Sequence, residues 1–120
     1  MPGNFSGIVR LFPLSDLVMF PHVVQPLRVF EPRYVELFED AMNGDRLISM
    51  ALLRSGWEQD YEGEPPVHSV TCLGRVISHN ENDDGTYNLL LAGLKRVRVT
   101  RELDTDRAFR TAEVELIEDS

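Results

Sequence analysis

One stretch of this chain carries the period of an α-helix, and the rest must be folded without one. Between Pro32 and Asn43, residues Tyr34, Val35, Leu37, Phe38, Ala41 and Met42 fall at i, i+1, i+3, i+4, i+7 and i+8. That spacing draws one apolar face on a 3.6-residue period. Pro32 suits the first helical position, where its missing N–H would have no partner. Glu31 and Glu36 stand near the positive end of the helix dipole. Gly44 suits the left-handed position after the last turn. A single helix leaves most of the apolar residues to be buried by strands.

The remaining periodicities are those of strands. Ile8 to Leu14 is short and apolar, and is interrupted by Pro13. Ser15 to Pro26 mixes apolar residues with Pro21 and Pro26 and reads as a loop, followed by an edge strand around Leu27 to Phe30, because proline cannot donate to a sheet ladder. Leu47 to Leu53 is a nearly continuous apolar run, the pattern of a strand buried on both faces. Ser55 to Pro66 is acidic and rich in Gly and Pro, and reads as a loop. Val70 to His79 is a strand in which Gly74 marks a bulge or a close backbone approach. Asp84-Gly85 is the strongest hairpin dipeptide of the chain. Thr86 to Ala92 is the return strand, Gly93 marks a bend, and Val97 and Val99 continue beyond it. Ala112, Val114 and Leu116 then alternate with Thr111, Glu113 and Glu115. The expected fold is mainly β (α+β): an antiparallel barrel or curled sheet of about six strands, with one main helix plugging one end.

Charge narrows the class of partner. Twelve basic residues stand against 20 acidic ones, a net of −8. That field repels phosphate backbones and argues against nucleic acid. Gly93 to Arg110 runs the other way, with six basic residues against three acidic ones. Arg96 and Arg98 share one face of a strand there. Such a stripe either recognises an acidic peptide or RNA, or pairs with the protein's own carboxylates; the second reading is the simpler one. The lone Cys72 excludes an internal disulfide framework and fits a reducing compartment, with the cytoplasm as default. No apolar run is long enough to span a membrane, and Met1 to Gly7 carries no secretory signal pattern.

Catalytic chemistry finds little support. His68 and Cys72 are four apart on a strand, roughly 13 Å, too far to share a metal ion. His22 and His79 have no ligand-type neighbours in sequence. Asn80, Asn82, Asp84 and Gly85 imitate the opening of a calcium loop, but Leu91 replaces the bidentate Glu that such a loop needs, so a hairpin turn is expected. A Ser–Lys pair would have to use Lys95, the only lysine, which sits between Leu94 and Arg96 in a basic strand. Neither a G-x-S-x-G elbow nor a phosphate-binding loop occurs. Cys72 falls in an apolar strand, where an inert buried thiol is the usual case. Asn4-Phe5-Ser6 fits a glycosylation sequon, which has no meaning without export.

The order of several segments resembles the Lon N-terminal domain, the substrate-binding region of ATP-dependent Lon proteases. The resemblance runs through Leu11-Phe12-Pro13-Leu14, Val18, Phe20-Pro21, Pro26-Leu27 and Phe30-Glu31-Pro32-Arg33-Tyr34. It resumes at Gly74-Arg75-Val76, Asp84-Gly85 and Leu91 to Val99, and closes at Ala112-Glu113-Val114. His22 and Thr71 stand where the family often has glycine, which bears on turn and bulge geometry. The wording around Tyr34 is closer to stand-alone proteins of the family than to full-length Lon.

The resemblance implies a PUA-like pseudobarrel over residues 1–120, without the helical lobe that follows it in the family. It implies a non-catalytic recognition role: holding unfolded or tagged polypeptides for an ATP-dependent protease, acting as a stand-alone adaptor, or supporting self-association. No cofactor or metal is implied. Within the proline-broken segment, Met19, Phe20, Val23 and Val24 are the candidate polypeptide-binding residues, either tucked into the barrel mouth or exposed as a binding patch. Arg96 and Arg98 are the candidate charged recognition residues. An RNA-binding PUA-like module using the Arg-rich strand is the alternative, opposed by the net charge.

Overall fold

The computed structural model describes residues 7–14, 22–54 and 67–117. The sequon, Met19, Phe20 and the loop from Ser55 to Pro66 lie outside them. The elements are β1 (Ile8–Leu14), β2 (Val24–Val29), α1 (Pro32–Met42), β3 (Leu47–Leu52), β4 (Val70–Glu81), β5 (Tyr87–Leu103) and β6 (Arg110–Leu116).

Six strands form one sheet in the order β2-β5-β4-β3-β1-β6, and a further β5–β6 pairing closes it. Closure depends on the length of β5. Its first part, Tyr87 to Ala92, pairs with β2, and its later part, Val97 to Leu103, pairs with β6. The two segments on either side of Gly93 are therefore one 17-residue strand. Pairing is antiparallel except between β1 and β3, which run parallel. The chain between them crosses over through β2 and α1, the long connection that a parallel pair requires. Both expected irregularities of β4 are in place: a register shift at Leu73/Gly74 and a hairpin whose Gly85 has φ +84°. A second shift, at Val76/Ser78, lies nearer the hairpin.

β3 is buried along nearly its whole length, as its continuous apolar run requires. It divides two clusters. Val9, Leu11, Leu47, Leu73, Val97 and Ala112 pack on one side. On the other, α1 lays Leu37, Phe38 and Ala41 over residues of β1 to β5 such as Val29, Met50, Cys72 and Leu91. Phe38 stacks at 4.7 Å on Tyr87 and meets His79 edge-on at 5.5 Å, which ties the helix to the β4–β5 hairpin. Burial pushes the Cys72 thiol up, against the opposing charge of Arg96, and so disfavours the thiolate form.

Among the described residues, the polar side chains sealed in this interior are Ser49 and Thr71, and their hydroxyls hydrogen-bond to each other between β3 and β4. Thr71, which stands where the family often has glycine, is thus a buried hydroxyl with a partner. Ser49→Ala leaves the Thr71 hydroxyl without this partner, and a loss of about 1–3 kcal/mol is expected. The double replacement Ser49→Ala/Thr71→Val removes both polar groups and should recover most of the loss. Urea unfolding of the two variants reads this non-additivity directly.

The helix C-terminus departs from the expectation. Gly44 does not take the left-handed conformation; Arg46 does, at φ 63°. The chain leaves α1 through a longer turn, in which the Gly44 and Arg46 N–H groups both donate to the Ala41 carbonyl. The small size of Gly44 serves packing instead. A Cβ there would lie 2.9 Å from Nη2 of Arg10. That guanidinium is the polar centre of this end of the barrel. It donates to Asp40 Oδ2 at 2.7 Å, to Asp45 Oδ1 at 2.8 Å and to the carbonyls of Leu47 and Asp40. Arg107, from the β5–β6 connection, reaches the other oxygen of Asp40 at 2.8 Å. One ion cluster thereby joins β1, α1, the turn into β3 and the β5–β6 loop.

Candidate functional site

β2, the first part of β5 and the end of β4 form a three-stranded ribbon with one face on the core and one face outward. The register sets three cross-strand rows: Val24, Ala92 and Arg75; Pro26, Leu90 and Ser78; Arg28, Asn88 and Asn80. The neighbours of these residues on β2 and β5, Leu27, Val29, Leu89 and Leu91, are buried, so the rows themselves face solvent. Val24 is 48% exposed and Leu90 39% exposed. The Val76/Ser78 bulge pushes Ile77 outward as well, to 53%. Phe30, next on the alternation of β2, is 61% exposed. A shallow concavity of about 420 Å³ lies over this region, lined by Pro26, Arg28, Ser78, Asn80, Asn88 and Leu90 among others.

Among the described residues, no strand lies beside the outer edge of β2. Pro26 sits in the middle of that edge without an N–H, and its carbonyl accepts a bond from the Gln25 side chain at 3.1 Å. An incoming chain would find the hydrogen-bonding ladder broken there. The face is thus a better platform than the edge. β2 is fastened at its start by two backbone bonds across Gly93: His22 N–H donates to the Gly93 carbonyl at 2.7 Å, and Gly93 N–H donates to the Val23 carbonyl at 2.9 Å. His22 has φ 71°, the conformation that glycine adopts without cost. The departure noted in the sequence therefore falls on a residue that does need that geometry.

The candidate residues from the sequence separate. Val23 and Val24 are exposed at the start of β2, on or beside the apolar face. Met19 and Phe20 lie outside the described residues. Arg96 and Arg98 are placed elsewhere, opposite Cys72 and Val70 on β4. The Arg96 side chain is half-buried, and Arg98 donates to Glu115 at 3.2 Å. Neighbouring basic residues are held in the same way, Arg101 by Glu113 at 2.7 Å and Arg110 by Glu102 at 2.8 Å. Carboxylates of the protein's own surface take up much of the stripe. Sequence reasoning did not single out Ile77, Pro26 and Leu90 as surface residues. For Leu90 half of the signal is in the sequence: in the run Leu89-Leu90-Leu91, a strand's period of two sets the middle leucine on the face opposite its neighbours, and the register then decides which face meets solvent. Among the described residues, no three His, Cys, Asp or Glu side chains come together as a metal site.

The sequence profile of the substrate-binding domain of ATP-dependent protease La (LON) matches residues 8–120. The chain belongs to this family. The Lon match covers nearly everything described above, both cores and the exposed ribbon. Lon protease 3 of Sorangium cellulosum is 32% identical over 114 residues, which cover 95% of this chain and 14% of that protease. Lon protease of Xanthomonas oryzae is 34% identical over 100 residues, covering 83% and 12%. The chain therefore spans about one-seventh of the length of these relatives. Among solved structures, a Lon N-terminal domain protein from Xanthomonas campestris superposes with a TM-score of 0.73 at 29% identity, over 92% of this chain and 60% of that one. The N-terminal domain of a Mycobacterium avium complex Lon protease superposes at 0.72 with 13% identity, over 94% and 56%, a likeness of fold. The Lon region matched is the substrate-binding part and not the catalytic part. No described helix is long and apolar enough to cross a membrane.

Proposed function

We propose that this domain is a non-catalytic polypeptide-recognition module. It holds unfolded or tagged proteins on the outer face of the β2-β5-β4 ribbon, either for an ATP-dependent protease or as a stand-alone adaptor in the cytoplasm. The observation that carries the reading is the cluster of exposed apolar side chains, Val24, Pro26, Ile77 and Leu90, on a ribbon whose other face is anchored in the core. Apolar groups gathered on one surface and left in water mark an interaction site. Val23 borders the cluster, and we assign Met19 and Phe20 to the same site from their place in the sequence.

A single domain of this size offers a small patch, and affinity in roughly the micromolar range or weaker is expected. The test is a titration with a chemically unfolded, fluorescently labelled client and with the same client folded. Binding should favour the unfolded form and change little with salt. It should weaken about tenfold in Leu90→Asp, because a carboxylate would replace an apolar contact. Equal binding of folded and unfolded client, or no effect of Leu90→Asp, would refute the site. Single-stranded RNA serves as the control for the alternative. Its binding would be steeply salt-dependent and would have to compete with the carboxylates that already hold Arg98 and Arg101.

A further inference from the structure

We propose that the ribbon face selects extended apolar segments flanked by acidic residues, and that Arg28 and Arg75 read those flanks. This rests on the polypeptide-binding reading above and adds its charge selectivity.

The chain as a whole is strongly acidic, with a net charge of −8, yet the charged side chains in the three rows of this face are both arginines. Five arginines elsewhere are closely paired. Arg10, Arg98, Arg101, Arg107 and Arg110 each hold a carboxylate at 2.7 to 3.2 Å. Arg28 differs: its only carboxylate neighbour among the described residues is Asp84, at 3.8 Å, and both side chains are more than half exposed. Asp84 is itself engaged by the Thr86 hydroxyl and N–H in the hairpin turn. Arg75 is exposed, and its strand neighbours Gly74 and Val76 are buried against the core, which fixes its outward direction. No ion pair of Arg75 is present among the described residues.

Their placement is complementary to a short extended chain. Arg75 lies in the row of Val24 and Ala92, and Arg28 in the row of Asn88 and Asn80, with Pro26 and Leu90 in the row between. Four residue steps along the strands are roughly 13 Å, and two strand spacings across are roughly 10 Å. The arginines therefore bracket the apolar centre on a diagonal of roughly 16 Å, about the length of five extended residues. A segment laid on that diagonal sets apolar side chains on Leu90 and Pro26 and a carboxylate at each guanidinium. A basic-flanked segment meets two like charges. Guanidinium groups suit carboxylates because their planar donors can grip both oxygens.

The experiment compares three short fluorescein-labelled peptides with the same Leu-Val-Phe centre and ends of Asp, Gln or Lys, titrated by anisotropy against the chain. At about 0.01 M salt, the Asp-ended peptide should bind roughly tenfold more tightly than the Lys-ended one, with the Gln-ended peptide between them. The gap should narrow at about 0.1 M salt as the Debye length falls from about 30 to about 10 Å. The double variant Arg28→Gln/Arg75→Gln should close the gap between Asp-ended and Lys-ended peptides. Equal binding of all three peptides, or a gap that survives in the double variant, would overturn the charge selectivity and leave polypeptide binding standing. Failure of all three to bind would overturn both.

Discussion

Arg10→Met is expected to lower the unfolding free energy by roughly 3 kcal/mol, seen as an earlier urea midpoint with an unchanged slope. The replacement is close in length and apolar, so packing loss is small. What it removes is the guanidinium that joins Asp40, Asp45 and two backbone carbonyls. The Arg10 side chain is only 16% exposed and the Asp40 side chain 27%, so water does not fully replace what is lost. Arg107→Met touches the same carboxylate from a half-exposed position and should cost under about 1 kcal/mol. Acid unfolding gives the second readout. Burial alone would raise the Asp40 carboxyl, but the hydrogen bonds and charges of Arg10 and then Arg107 outweigh it and hold the group below the ordinary carboxylate range. A carboxyl with a lowered folded pKa stabilises the fold above its unfolded value, near about pH 4, and the gain is lost as pH falls through the folded value. Asp40→Asn should therefore show a shallower loss of stability below about pH 4 than the parent chain. An equally steep loss would show that other carboxylates set the acid limit.

Leu37→Ala should cost about 3 to 5 kcal/mol, the range for emptying a fully enclosed leucine site. Leu37 is completely buried under α1, and the cluster it joins includes Leu27 and Val29 of β2. Among the described residues, β2 pairs with a strand on one side only, so the helix supplies much of its remaining support. Loss of binding should accompany loss of stability for this reason. Hydrogen exchange should show the amides of β2 opening before those of β3, which is paired on both sides. Global unfolding with no early opening of β2 would argue against this coupling.

The core could be read from the chain because burial enforces periodicity. The stripe from Tyr34 to Met42 had one way to hide, and the unbroken run from Leu47 could only lie between two layers. Turn geometry was less accessible. Gly44 carried the pattern of a helix terminator, but its use was fixed by Arg10, more than thirty positions earlier in the sequence, and no local pattern encodes that approach. The ribbon face was hidden for a related reason. Which of Leu89, Leu90 and Leu91 turns outward depends on register, and the exposure of Ile77 depends on a bulge that no Gly or Pro announces. Arg28 and Arg75 are far apart in the chain and come to one face only because β5 lies between their strands. The basic run at Lys95 to Arg101 is legible because it is contiguous, yet Arg98 and Arg101 are matched by Glu115 and Glu113 of the strand beside them.

The pairing of β5 with both β2 and β6 has a consequence for synthesis. A chain made from its N-terminus releases β1 and β2 long before their antiparallel partners exist. Ile8 waits for Glu113, and Val24 for Ala92. Few native contacts of the sheet can form early, so assembly depends on distant pairings, which are slow to find. During that interval the nascent segments display the same kind of apolar strand that the mature domain is proposed to capture.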